Sequence, residues 1–184
     1  MSNPTHPLET TAGKLRTTFD ASFAAHQATG AGAEVDVLAI RVTGDGYALR
    51  LSEVRAVHAE RPLTPVPSPH PALLGLVGVR GLVVPIYDLR LLLGYGAGPA
   101  PRWLALARAA SPIGFAFEAF EAHWRLPLSA VVTEMAGLGH GNRFAPGSVK
   151  TDTGTRPLLH LPSLIESVTK HARPSSERAR EEPR

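Results

Sequence analysis

Leu74–Gly94, LGLVGVRGLVVPIYDLRLLLG, is the stretch whose reading decides the fold. It is apolar over most of its length, yet Arg80, Asp88 and Arg90 sit inside it, and Gly78, Gly81 and Pro85 interrupt any single helix. Charges at bilayer depth are costly and rare, so the run reads as part of a water-soluble core rather than a membrane span. It divides into a strand (Leu76–Arg80), a turn at Gly81 and a second strand (Leu82–Tyr87). Asp88 then caps a short helix through Leu89, Leu92 and Leu93 to a stop at Gly94. The result is a buried strand–turn–strand–helix unit with a fixed charge near its turn.

The same signals continue on both sides. Upstream, Val37–Thr43 and Tyr47–Leu51 flank Gly44-Asp45-Gly46, a hairpin turn that supplies positive φ cheaply. Val54 and Val57 continue a third apolar segment, and a Pro-dense connection follows (Pro62, Pro65, Pro67, Pro69, Pro71), stiff and poor in ladder donors. Downstream of a Gly/Pro break at Gly96–Pro101, Trp103–Ala109 and Ile113–Glu118 are separated by Ser111-Pro112, and Ala119–Leu126 extends the run. Arg143–Thr151 and Pro157–Leu161 supply the remaining strands, with a short helix at Ser163–Val168. Short strands with regular turn signals and no alternating long helices predict an all-β protein and exclude a dinucleotide-binding fold. Residues 1–34 hold a predicted helix around Thr11–Gln27, striped by Ala12, Leu15, Phe19 and Phe23. That stripe either packs on the core or is offered to a partner groove. Residues 169–184 are charged and Pro-containing, and are expected to be disordered.

Composition sets the outer limits. The 184 residues suit one domain, or two small ones sharing a core. The sequence has no Cys, which removes disulfides, Cys-based zinc sites and thiol nucleophiles together. The opening MSNPTHPLETTAG has no apolar h-region, so no cleaved secretory signal is expected. The net charge of +3 comes from scattered residues and from a tail in which Arg and Glu alternate, a solvated pattern rather than a nucleic-acid patch.

Taken together, the central motif resembles the CheW family, the adaptors of bacterial chemosensory arrays. That family's core reads roughly G-[VI]-x-N-L-R-G-x-[VI]-x-P-[VI]-x-D-L-R. It is matched here by Gly75, Arg80, Gly81, Val83, Pro85, Ile86, Asp88, Leu89 and Arg90 over an unbroken 16 positions. Further matches are Tyr47 through Val57, Ile113–Glu118 and Leu158–Ile165, so the resemblance spans Val37 to Val168. Departures are Gly78 for the usual Asn, Glu118 for Asp, His160 for an acid, and Ala56 where the family often has Glu. The resemblance implies two small five-stranded SH3-like barrels sharing an apolar core. The first is expected over about residues 36–94, the second over about 101–161, and a closing helix over 163–168.

No catalytic constellation emerges. The eight His residues (6, 26, 58, 70, 123, 140, 160 and 171) show no ligand spacing within one element. There is neither a G-x-S-x-G elbow nor a phosphate-binding G-x-x-x-x-G-K-[ST] loop. Glu118 and Glu121 fall on opposite faces of a strand. An enzyme, a cofactor and a metal are therefore not expected. The resemblance implies a non-catalytic scaffold in the cytoplasm at receptor arrays. Its implied partners are the signalling tip of a methyl-accepting chemoreceptor and the regulatory domain of a CheA-type histidine kinase. By matching positions, Val54, Gly75, Arg80 and Trp103 are the candidate partner contacts, and Gly81, Pro85, Asp88 and Gly114 the structural determinants. Arg80 has two readings: a head reaching a partner, or a structural tie to Asp88. The rival function is a small β-barrel that binds a ligand or single-stranded nucleic acid.

Overall fold

The computed structural model describes residues 33–96, 98–133, 142–152 and 154–172. The predicted Thr11–Gln27 helix and most of the 169–184 tail lie outside these residues. The described chain is mostly strand: β1 (Glu34–Val42), β2 (Asp45–Arg50), β3 (Val54–Ala59), β4 (Leu73–Val79), β5 (Leu82–Asp88), β6 (Trp103–Ala107), β7 (Gly114–Phe117), β8 (Ala119–Pro127), β9 (Val131–Val132), β10 (Gly147–Thr151) and β11 (Gly154–Leu159). Two helices join them, α1 (Leu89–Leu92) and α2 (Leu161–Ala172).

Two tight hairpins set the registers. Val42 pairs with Asp45 across Thr43-Gly44, and Val79 pairs with Leu82 across Arg80-Gly81. All four loop residues have positive φ (55° and 83°, then 48° and 79°), the signature of a type I′ turn matched to strand twist. The first turn is thus Thr43-Gly44, one residue earlier than Gly44-Asp45-Gly46. Glycine second in each loop removes half of the left-handed strain, while Thr43 and Arg80 carry the rest.

The strands form a six-stranded sheet ordered β8-β1-β2-β11-β10-β9 and a five-stranded sheet ordered β3-β6-β7-β5-β4. Each contains one parallel seam, β2 with β11 and β5 with β7. This corrects the expected division into sequential halves at 36–94 and 101–161. The six-stranded sheet takes the first two and last four strands, and the five-stranded sheet takes everything between. The chain changes sheet at the 3-10 turn Leu51–Glu53 and again at Glu118, neither of which carries Gly or Pro. The Gly/Pro-rich break at Gly96–Pro101 instead falls inside one sheet, between β5 and β6.

Period-2 alternation gives both sheets two buried faces. Leu38, Ile40, Tyr47 and Leu49 meet Ala105, Phe115 and Phe117 in a layer contributed by both sheets. The opposite face of the five-stranded sheet buries Val77, Val84, Ile86, Leu104, Leu106 and Ala116 against one another. That of the six-stranded sheet buries Val37, Ala48, Val149 and Leu158. Leu63 of the Pro-rich connection also packs on this second face of the five-stranded sheet.

Helix α2 starts at Leu161 and runs to Ala172, longer at both ends than Ser163–Val168. Its N-terminus is satisfied from a distance: the Leu161 amide donates to Glu53 Oε2 (2.8 Å), and His160 Nδ1 lies 2.8 Å from Ser163 Oγ. Among the described residues no helix is long and apolar enough to cross a membrane.

Candidate functional site

Two concavities flank β3. Strand β3 carries a bulge at Arg55: Val54 pairs with Ala107 but Ala56 with Leu106, so one residue of β3 has no counterpart on β6. The extra residue flips the alternation, putting Val54 and Val57 on one face and Ala56 and His58 on the other. The first face opens on a groove of about 320 Å³ where the two sheets meet. Val54 and Trp103 line it from the five-stranded sheet, Leu38 and Phe120 from the six-stranded sheet, and Leu51 from the connecting turn. Trp103 packs on Phe120 with ring centroids 5.5 Å apart and planes tilted 45°. The lining is almost wholly apolar, and Leu51 is half-exposed at its rim.

On the other face a second hollow of about 270 Å³ opens at the tip of the β4–β5 hairpin. Arg80 stands on its rim with Arg55 and His58, over a floor that includes Val79, Val84 and Leu106. Beside it Leu82 and Val83 are 49% and 64% exposed, so the apolar run predicted as buried presents its turn to solvent. Arg55 and Ala56 line both concavities. The fold therefore brings Val54 and Trp103 together, and places Arg80 on the far side of the same strand.

Gly75 belongs to neither. It is buried under the Pro-rich connection, where Thr64 and Leu76 exchange backbone hydrogen bonds of 2.8 and 2.9 Å. Its φ is +147°, and a Cβ there would stand 2.4 Å from the Thr64 carbonyl oxygen. This glycine is needed for the close approach of two backbone segments.

Asp88 does cap α1: the Arg90 amide donates to Oδ1 at 2.9 Å. Its ionic partner, however, is Arg90 (Nη2 to Oδ2, 2.7 Å), whose other Nη donates to the Pro99 carbonyl at 3.1 Å. The proposed Arg80–Asp88 tie is absent. The reason is elementary: they sit at opposite ends of β5, and seven or eight residues at about 3.3 Å each separate them by more than 20 Å. The buried charge of the motif is thus at the helix, not at the turn.

The remaining structural residues have distinct local reasons. Pro85 faces Leu76 on β4, and the pairing of β5 with β7 starts only at Ile86, so its missing N–H breaks no ladder there. Gly114 lies where a Cβ would meet Ile86 Cδ1 at 2.6 Å and Leu106 Cδ2 at 2.9 Å. Gly81 completes the turn described above.

Two polar clusters were not legible as sites. Tyr95 Oη lies 2.6 Å from Tyr47 Oη and donates to Asp45 Oδ2 at 2.6 Å, tying the loop after α1 to the first hairpin. Burial first, then these partners, pushes the Tyr95 hydroxyl far above its ordinary value. Glu121 is paired with both Arg156 and Arg41, and Arg156 lies over the Trp124 ring at 5.0 Å. Glu118 stands apart, accepting from the Gly44 amide at 2.8 Å. The Glu121 pairs tie β8 to β1 and β11 within the six-stranded sheet. Among the described residues no group of three His, Asp or Glu side chains is arranged to hold a metal.

Among the described residues an apolar groove with an aromatic pair lies beside a hollow rimmed by basic side chains. The profile of the CheW-like domain matches residues 36–169, and the chain belongs to that family. Among solved structures it is similar to the scaffolding protein TtCheW from Thermoanaerobacter tengcongensis, with a TM-score of 0.64 at 16% identity, covering 70% of this chain and 90% of that one. No curated protein sequence matches it.

Proposed function

We propose that this protein is a non-catalytic scaffold that couples chemoreceptors to a CheA-type histidine kinase in the cytoplasm. Membership of the CheW-like family and the likeness to a scaffolding protein support the general role. The observation that carries the site is the groove lined by Val54, Leu51, Trp103 and Phe120. Its shape and apolar lining suit an amphipathic helix laid along it, with a few large anchors supplying most of the affinity. Arg80 stands at the neighbouring hollow as a charged contact, and Gly75 acts from behind by fixing the backbone. Apolar side chains buried on a second face of each sheet support an SH3-like barrel for each. Burial of apolar surface with a polar rim is the physics of such contacts, and no bond is made or broken.

Co-sedimentation tests the proposal. The full chain is mixed with receptor signalling domains, with the kinase, and with both. It is expected to pellet with each partner, and Trp103→Ala and Arg80→Glu are expected to release the receptor while remaining folded by circular dichroism. Failure of the unmodified protein to join either partner removes the scaffold reading.

A further inference from the structure

Among the described residues the hollow at the hairpin tip carries more unpaired positive charge than the groove, whose only basic lining residue is the shared Arg55. Arg41, Arg90, Arg102, Arg125 and Arg156 all pair with a carboxylate. Arg55 and Arg80, on the rim, and Arg61 nearby have no ion pair or hydrogen-bond partner among the described residues. His58 lies among them with a buried Nε2 that has no hydrogen-bond partner. Burial first, then the charges of Arg61 and Arg80, hold its imidazole below the ordinary histidine range. The floor beneath is apolar, and Ala56 on β3 offers no carboxylate to the arginine beside it. Two uncompensated cations and a buried unpaired ring nitrogen on an apolar hollow, with Arg61 acting on that ring from nearby, raise the local positive potential where water is partly excluded.

We infer that this hollow is a docking pocket for an acidic polypeptide segment, one large apolar side chain entering the cavity while flanking carboxylates pair with Arg80 and Arg55. The inference rests on the scaffold reading and names the chemistry of the partner at this second face. A cavity of about 270 Å³ has room for a large aliphatic or aromatic side chain. The flanking charges are a rim feature, so they set partner choice and association rate and respond to salt. Leu82 and Val83, exposed on the hairpin tip, extend the apolar contact beyond the cavity.

The test uses the full chain and a decapeptide library with one Leu, Ile, Met or Phe at the centre. Half the library carries Asp and Glu on both sides, and half carries Asn and Gln. The acidic half is expected to be enriched, with binding weakened about ten-fold when salt rises from about 50 to about 500 mM. Ala56→Glu supplies Arg80 with an internal carboxylate and is expected to abolish the enrichment. Ala56→Gln, similar in size and uncharged, keeps it, which separates charge from bulk. Arg80→Gln is a surface change that also lowers the enrichment. Equal capture of both halves, enrichment that survives Ala56→Glu, or stronger binding of a single-stranded oligonucleotide overturns the inference. If Ala56→Glu still co-sediments fully with receptor and kinase, the pocket assignment fails while the scaffold reading stands.

Discussion

Replacing Gly75 with Ala separates a structural role from a contact role at the motif's first residue. The new Cβ would lie 2.4 Å from the Thr64 carbonyl oxygen, 2.9 Å from its carbon and 3.2 Å from Pro65 Cα, all backbone atoms. The chain has to open there. A non-glycine residue in this φ region costs about 1–3 kcal/mol. Displacing Thr64 also breaks two backbone hydrogen bonds of 2.8 and 2.9 Å with Leu76, each worth about 1 kcal/mol net. The sum is about 3–5 kcal/mol, a large share of the roughly 5–15 kcal/mol of a typical domain. At about 2–4 °C per kcal/mol the melting temperature should fall by about 10 °C. Gly78→Ala is the control: that glycine is exposed and nothing lies within 4 Å of its added Cβ. It should change stability by no more than about 0.5 kcal/mol. Thermal unfolding by circular dichroism reads all three proteins. If Gly75→Ala melts with the unmodified protein yet loses a partner, the structural argument is refuted and Gly75 becomes a contact.

Other consequences follow from the polar pairs. Asp88→Asn leaves the largely buried Arg90 without its counter-charge, so the urea midpoint should drop by the equivalent of about 3 kcal/mol; an unchanged midpoint would show that the pair adds nothing. Glu53→Ala removes the acceptor for the Leu161 amide, costing about 1 kcal/mol and speeding amide exchange in the first turn of α2 selectively. Glu121 is held below the ordinary carboxylate range by its hydrogen bond to Arg156 first, with Arg41 adding to it against the cost of burial. Its folded value is depressed, so its contribution is present above the model-compound value of 4.5 and is lost as pH falls through the lower folded value. Glu121→Gln should therefore flatten the acid end of the stability profile, and parallel profiles would contradict the assignment.

The hairpins, the cap and most strands were legible because they rest on local rules. Gly44 and Gly81 mark the turns, Asp88 caps the helix after it, and the apolar run from Trp103 between two turn signals assigns a strand. The sheet exchange was not legible, because Leu51–Glu53 and Glu118 cross between sheets without a composition signal. The pairing of Asp88 was misread for a geometric reason: sequence proximity to Arg80 ignores the length of an intervening strand, while Arg90 lies two residues away. Val54 and Trp103, named in sequence as partner contacts, line one groove, and the bulge at Arg55 that aims Val54 there depends on register with β6. Phe120 and Leu51, which complete the groove, read in sequence as ordinary strand and turn residues. Gly75, a contact candidate in sequence, lies beneath Thr64, eleven residues upstream, a closeness that no local pattern signals.

The central claim is coupling, and receptor control of kinase activity measures it most directly. Autophosphorylation of a CheA-type kinase is followed with receptor signalling domains, with and without this protein. The account predicts that the kinase responds to the receptor only when the protein is present, and that Trp103→Ala removes the response. A kinase that responds equally without the protein, or never responds with it, would contradict the account.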